Sequence, residues 1–204
     1  GKIGLASDSS KSFEKAIDLM IKTLTINPVD FNTLNNLGIA FFETERFEES
    51  MTSYQKALDI QPNLADVWNN LGTVFQKLNQ YEDAIKSFDK AYGIKPEIDY
   101  ILGNILGAKM NSCNWDGLAE LLVDARKRIV NNEKVIDSHT LTGLIDVPAL
   151  QKKAAELFTK CHYPQKKSLP SIDLYPKHPK IRIGYFSADF REHPVGFLTA
   201  ELYE

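Results

Sequence analysis

Apolar residues recur at three- and four-residue steps along the first two thirds of the chain, and they keep their phase every 34 residues. Pro28, Pro62 and Pro96 mark the period, each following a helical stretch as a terminator would. In that register Leu34, Trp68 and Leu102 superpose, as do Leu37, Leu71 and Ile105; Gly38 falls on Gly72, Phe41 on Phe75 and Phe47 on Tyr81. A second helix follows in each unit. Ala16, Ser50 and Ala84 align there, then Met20, Tyr54 and Phe88, then Ala57 and Ala91. Small residues at 38, 50, 57, 72, 84 and 91 let two antiparallel helices approach closely, and the large ones fill the space between them. One such unit buries too little to stand alone, so neighbours must stack into a solenoid. The spacing predicts helix pairs at about 31–44/48–61 and 65–78/82–95.

Large residue, L-G, aromatic, small–large–small, proline: this pattern resembles the tetratricopeptide repeat. Residues 31–64 and 65–98 are full copies. Residues 1–30 read as a trailing half-repeat with an eroded first helix, Ile3-Gly4 standing in its L-G position. Residues 99–132 keep length and phase, but Leu106 replaces the glycine and Val130 the proline. Trp68, Phe75, Tyr54, Phe88 and Tyr81 are expected between helices, and Trp115, in the position of Phe47 and Tyr81, is expected in the core.

Asparagine is the more informative residue. Asn36, Asn70 and Asn104 share one repeat position, just before the core Leu or Ile, and should project in a row along the first helices. Asparagine is a poor helix former and gains nothing there from propensity. Its amide offers a donor end and an acceptor end, matching what an extended peptide backbone presents. Two readings stand: a ladder that holds a peptide, or hydrogen bonds between neighbouring repeats.

After residue 110 the pattern changes. LAELLVDARKRIV is an amphipathic helix, and 131–147 reads as a connector with a short apolar turn. A further helix starts at Pro148 with Asp146 as its expected cap, presenting Leu150, Ala154, Leu157, Phe158 and Cys161. Pro164, Pro170, Pro176 and Pro179 then impose a linker. IRIGYFS at 181–187 alternates like a strand, a polar turn follows, and VGFLTAEL begins a helix just after His193-Pro194. Strand, loop, helix is the opening of a Rossmann-like unit, in which His193 is either a ligand-facing residue or a helix cap. The expected fold is therefore all-α, a superhelical repeat solenoid over 1–132 with connector helices at 133–163. A proline-rich linker at 164–179 and the start of a Rossmann-like domain at 180–204 complete it.

Charge sharpens the division. Residues 1–120 carry 11 Lys+Arg against 17 Asp+Glu, and residues 121–204 carry 13 against 10. The net charge of −3 gives no case for nucleic acid. Cys113 and Cys161 lack C-x-x-C spacing, which excludes a disulfide framework or a cysteine-rich zinc site and points to a reducing, cytoplasmic setting. Cys113 is expected to be a buried small residue. No apolar stretch approaches the ~20 residues that cross a bilayer, and no membrane or metal partner is expected.

The repeats, the S-C-N-W-D segment, LIDVPALQKKAAELF and RIGYFSADFREHPVGFL together resemble the O-linked N-acetylglucosamine transferase family, most closely its bacterial, SPINDLY-like members. The resemblance implies a parent that moves a sugar, with inversion, from a UDP- or GDP-sugar donor to Ser or Thr hydroxyls of extended peptides. It places His193 and Asp189 at the active-site cleft, with Pro194 completing the motif, and Asn36, Asn70 and Asn104 in the peptide groove. Phe197 stands where some members carry a second histidine. The family's donor-binding lobe has no counterpart here, so the 204-residue chain is expected to hold no cofactor and to be inert as an enzyme. The other reading is a non-catalytic repeat scaffold that binds proteins.

Overall fold

The structure is a computed structural model that describes residues 2–162, with side chains from Ser12 onward except that of Ser138. The chain divides into two compact units, Gly1–Pro164 and Gln165–Glu204. The proline-rich linker and the β–α unit expected at 180–204, with Asp189 and His193, lie outside the described residues.

All regular structure among the described residues is helical. The order is α1 Lys2–Ile26, α2 Phe31–Glu43, α3 Phe47–Ile60, α4 Ala65–Lys77, α5 Tyr81–Ile94, α6 Ile101–Asn111, α7 Leu118–Val130, α8 Ser138–Thr142 and α9 Pro148–His162. The pairs α2/α3 and α4/α5 stand within a residue of their expected bounds. Helices α1, α3 and α5 end at Ile26, Ile60 and Ile94, two residues before the repeat proline, because the residue preceding a proline is driven out of the helical region.

The turn inside each pair also obeys the period. Glu45, Asn79 and Cys113 adopt left-handed φ values of 60°, 59° and 53°. The next N–H in each case (Arg46, Gln80, Asn114) reaches back to the carbonyl of Phe41, Phe75 or Lys109 at 2.8, 2.9 and 2.9 Å. This closes the helix C-terminus with the 6→1 bond of a Schellman motif. In the second copy the Tyr81 hydroxyl donates to Asn79 Oδ1 at 2.7 Å, which steadies the unusual backbone.

Close packing explains the glycines. A Cβ on Gly38 would lie 2.5 Å from the Tyr54 ring, and one on Gly72 would lie 2.6 Å from the Phe88 ring. Both rings are fully buried. Beside the first pair, the Ser50 hydroxyl donates to the Gly38 carbonyl at 2.7 Å, so the small polar residue is satisfied without water. In the third copy the glycine, the small residue and the aromatic become Leu106, Leu118 and Leu122. Leu106 is fully buried, and the other two pack against the same core.

The third copy also corrects two expectations. Helix α7 begins at Leu118, three residues later in register than α3 and α5, so Trp115 is left in the loop, 58% exposed. Its neighbour Cys113 is exposed too, at the left-handed turn position rather than in the core. The cause is Lys109, which occupies the column of Phe41 and Phe75. It is buried, and its ammonium group donates to the Asp116 carbonyl at 2.8 Å. A buried cation needs such oxygens, and the loop wraps around it to supply them.

Four further differences concern the ends. Lys2–Ile26 is one uninterrupted helix rather than a half-repeat with a broken first helix; the position equivalent to the turns at 45 and 79 is helical. The stretch 131–147 is part of the core: Val135, Ile136, Leu141 and Ile145 are buried. Its backbone caps α6, with Lys134 and Val135 carbonyls accepting from the N–H groups of Tyr100 (2.6 Å) and Gly103 (2.8 Å). Helix α8 packs on α6, and α9 packs on α7 and α8, in the place of a fourth pair. Val147, not Asp146, directly precedes α9, and its carbonyl accepts from Leu150 and Gln151. Cys161, near the end of α9, is exposed, whereas Ala154 is buried.

Candidate functional site: the asparagine face

The first helices α2, α4 and α6 pack side by side, so the positions just before each core Leu or Ile fall on a common face. Asn36 is exposed there, and Asn70 and Asn104 are half-buried. The expected row exists as a set of neighbours. Its chemistry has an additional component, because Asn70 Nδ2 donates to Asn35 Oδ1 at 3.3 Å and Asn104 Nδ2 donates to Asn69 Oδ1 at 3.0 Å. Asn70 and Asn104 therefore each bond to the repeat before, through the residue one position earlier in its register. The recurring Asn-Asn pairs at 35–36 and 69–70 carry that partner column in the sequence.

The bonds do not exhaust the asparagines. A primary amide has two N–H donors and a carbonyl with two lone pairs. After one donor is spent, Asn70 and Asn104 each keep a donor and an acceptor, now on a side chain fixed in orientation. The row of partners ends in the third copy, where Gly103 stands in the column of Asn35 and Asn69. A Cβ at Gly103 would lie 3.1 Å from the Cα of Ile136, so the connector occupies the space.

Two clefts flank the ladder. One, of ≈ 360 Å³, lies at the N-terminal ends of α2 and α4 and is lined by Phe31, Asn32, Asn35, Asn63 and Asp66 among others. The other, of ≈ 450 Å³, lies between α6 and α8 and is lined by Gly107, Met110, Asn111, His139, Thr140 and Gly143 among others. Asp30, which caps α2, accepts from the Thr33 hydroxyl at 2.7 Å and from the backbone of Asn32 and Thr33. These hydrogen bonds, led by that of Thr33, hold its carboxyl below the usual carboxylate range.

The sequence matches the family description TPR repeat over residues 38–79 and tetratricopeptide repeat over residues 65–97. The chain contains tetratricopeptide repeats. No curated protein matches the sequence. Among solved structures, a crystal structure of MamA aligns with a TM-score of 0.55 at 16% identity, covering 75% of this chain and 88% of that one. A further MamA structure (AMB-1) aligns at 0.50 and 18% identity, over 59% of this chain and 66% of that one. At such identities the likeness is one of fold.

Among the described residues no group of three His, Cys, Asp or Glu side chains is placed to hold a metal, and no helix is long and apolar enough to cross a membrane. The asparagine face is thus a hydrogen-bonding surface built on rigid helices. Asp189 and His193, the two residues assigned to chemistry, are outside the described residues.

Proposed function

We propose that this chain is a protein-binding repeat scaffold whose asparagine face holds an extended peptide segment through its backbone. The observation that carries this reading is the row Asn36, Asn70, Asn104, two members of which are oriented by Asn35 and Asn69 and retain a donor and an acceptor each. Amides presented at repeat intervals suit a repeating backbone and are indifferent to side chains, which favours unstructured partners, Ser/Thr-rich segments among them. Asn70→Ala and Asn104→Ala break the same inter-repeat bonds as Asn35→Ala and Asn69→Ala, so the two sets are compared at a similar loss of stability. Changing Asn36, Asn70 and Asn104 to Ala should weaken binding of fluorescein-labelled Ser/Thr-rich peptides by at least tenfold in anisotropy titrations. Changing Asn35 and Asn69 to Ala should lower thermal stability, each lost bond costing ~0.5–1.5 kcal/mol, with a smaller effect on binding. Unchanged affinity in the triple variant would reject the ladder.

A second reading, that the parent transfers a sugar to the held peptide, rests on the R-I-G-Y-x-S-x-D-F-x-x-H-P run at 182–194. Here Asp189 shapes the loop, and His193 positions the donor or acceptor or takes the hydroxyl proton. The donor would be a UDP- or GDP-sugar. Its test is transfer by a polypeptide that extends this chain with a second lobe, with and without His193→Ala; equal turnover would remove the assignment.

A further inference from the structure

The glycines of the first helices do not share one reason. Gly38 and Gly72 face the Tyr54 and Phe88 rings, and Gly103 faces the backbone of Ile136, so packing imposes each of them. Gly107 is different. A Cβ there would meet only Gln76 Nε2 at 3.7 Å, an ordinary contact, and the residues in register with it, Ile39 and Thr73, carry full side chains. A glycine weakens a helix interior relative to alanine, so bare backbone at 107 calls for another use. Across the cleft Gly143 repeats the pattern. Its φ is −73°, open to any residue, and a Cβ would press chiefly on the terminal methyl of Met110 at 3.1 Å. The two missing side chains leave the ≈ 450 Å³ cleft between α6 and α8, a size that holds a small organic group.

The cleft opens on the asparagine face. At 100° per residue Gly107 and Asn111 stand within about 60° of Asn104 around α6. The row crosses α2, α4 and α6 in turn, and α8 packs next on α6. Met110 sets a thioether between the two bare glycines, and Asn111 and His139 stand exposed at the mouth. Asp137 fixes the α8 wall, accepting from the Thr140 N–H at 2.9 Å and from its hydroxyl at 2.7 Å. Among the described residues no lysine, arginine or carboxylate lines the cleft.

We propose that this cleft takes one aromatic side chain, tyrosine above all, from the peptide held by the asparagine row. The proposal rests on reading that row as a peptide groove, and it adds a side-chain preference to a surface otherwise indifferent to sequence. Walls of bare glycine backbone make a slot that suits a flat ring, and a thioether makes a favourable contact with an aromatic edge. A phenol hydroxyl then emerges at the mouth, where the Asn111 amide and the His139 ring can bond to it. A charged side chain would give up water there without an opposite charge in return. Neighbouring helices lie ~8–10 Å apart and an extended chain advances ~3.3 Å per residue. The aromatic residue therefore falls within about three residues of the one that Asn104 holds.

The test uses the full 204-residue chain and a fluorescein-labelled Ser/Thr dodecapeptide carrying one central Tyr, Leu, Lys or Ala. In anisotropy titrations the Tyr peptide should bind at least tenfold more tightly than the Ala peptide, and Leu or Lys should not reproduce the gain. Carbon-13 labelling of the methionine methyls places the contact, because Met20, Met51 and Met110 report three separate regions. The Met110 methyl, assigned with Met110→Leu, should move upfield under the ring of the Tyr peptide and stay still with the Ala peptide. Gly107→Leu fills the cleft; it should keep the helical circular-dichroism spectrum and the Ala-peptide affinity while losing the gain from Tyr. Changing Asn36, Asn70 and Asn104 to Ala should weaken both peptides by a similar factor. Equal affinity for the Tyr and Ala peptides, an equal gain from Leu, a Met110 methyl that does not move, or a Tyr gain that survives in folded Gly107→Leu would each overturn the cleft. The ladder would then still stand or fall on its Ala-peptide affinity. A Tyr gain with the Met110 shift, in a chain whose Ala-peptide binding ignores the triple substitution, would reject the ladder and keep the cleft.

Discussion

The second and third repeats reach the same helix pairing by different side-chain chemistry. In residues 65–98 the pair closes around a glycine, an alanine and an aromatic ring: Gly72, Ala84 and Phe88. In 99–132 the same three columns hold Leu106, Leu118 and Leu122. The first arrangement puts nearly all the volume on one residue, and the second divides it among three. The aromatic at Phe75 is meanwhile replaced by Lys109, and a three-residue turn becomes a six-residue loop around its ammonium group. The lesson is that the repeat motif specifies a volume and a crossing, which a set of residues supplies together. Single columns can change only when their facing columns change with them.

The largest effect should come from mixing the two arrangements. Gly72→Leu drives a branched side chain into the Phe88 ring and should cost ~1–3 kcal/mol or more. Phe88→Leu alone should cost a comparable amount by leaving a cavity. The double variant should be more stable than the sum of the two losses predicts, by an amount measurable in a urea-denaturation double-mutant cycle. Strict additivity would show that the columns are independent and the comparison mistaken.

A smaller loss is expected at the loop. Lys109→Met keeps the apolar stem and removes the ammonium donor, leaving the Asp116 carbonyl without its partner. Stability should fall by ~1–2 kcal/mol, in keeping with a charge-assisted bond, and amide exchange should accelerate over 112–117. Unchanged exchange there would mean that the left-handed turn at Cys113 alone shapes the loop.

The smallest effect is at Asp30, and pH reveals it. Its carboxyl is held below the usual range in the folded chain, so its contribution is complete above the unfolded value and is lost as pH falls through the folded one. Asp30→Ala should therefore lower Tm at pH 7 by a small margin that shrinks as the pH falls through the acid range. A difference that persists in acid would assign the loss to something other than the ionised cap.

The repeat period was legible because Pro28, Pro62 and Pro96 and the Gly–aromatic pairs repeat without a slip, and element bounds followed to within a residue. The asparagine row was legible for the same reason. The partners Asn35 and Asn69 are not legible, because a bond between residues 35 apart depends on how neighbouring helices are offset, which residue types do not state. The column of Trp115 predicts burial only if the helix begins on time. The delay comes from Lys109, whose burial contradicts its ordinary behaviour and is explained only by oxygens supplied from its own loop. The connector's place in the core is not legible, because Val135, Ile136, Leu141 and Ile145 follow no helical spacing; they are buried by lying across α6 and α9.

The amide bonds between repeats have a mechanical side. Where repeat 31–64 meets repeat 65–98, the side-chain ties among the described residues are Asn70 to Asn35 on the first-helix edge and the Trp68 indole N–H to the Pro62 carbonyl at 2.8 Å in the connecting loop, with none between the second helices α3 and α5. Where 65–98 meets 99–132 both edges are fastened: Asn104 to Asn69 on one, and on the other the Tyr92 hydroxyl to Asp124 at 2.9 Å, with Arg128 reaching the Pro96 carbonyl at 2.9 Å. The earlier joint can open like a book whose spine is the asparagine edge, while the later one is latched along both covers. Under thermal bending or an end-to-end pull, motion should concentrate at the joint near residue 64, with the asparagine ladder as its pivot and its spacing preserved.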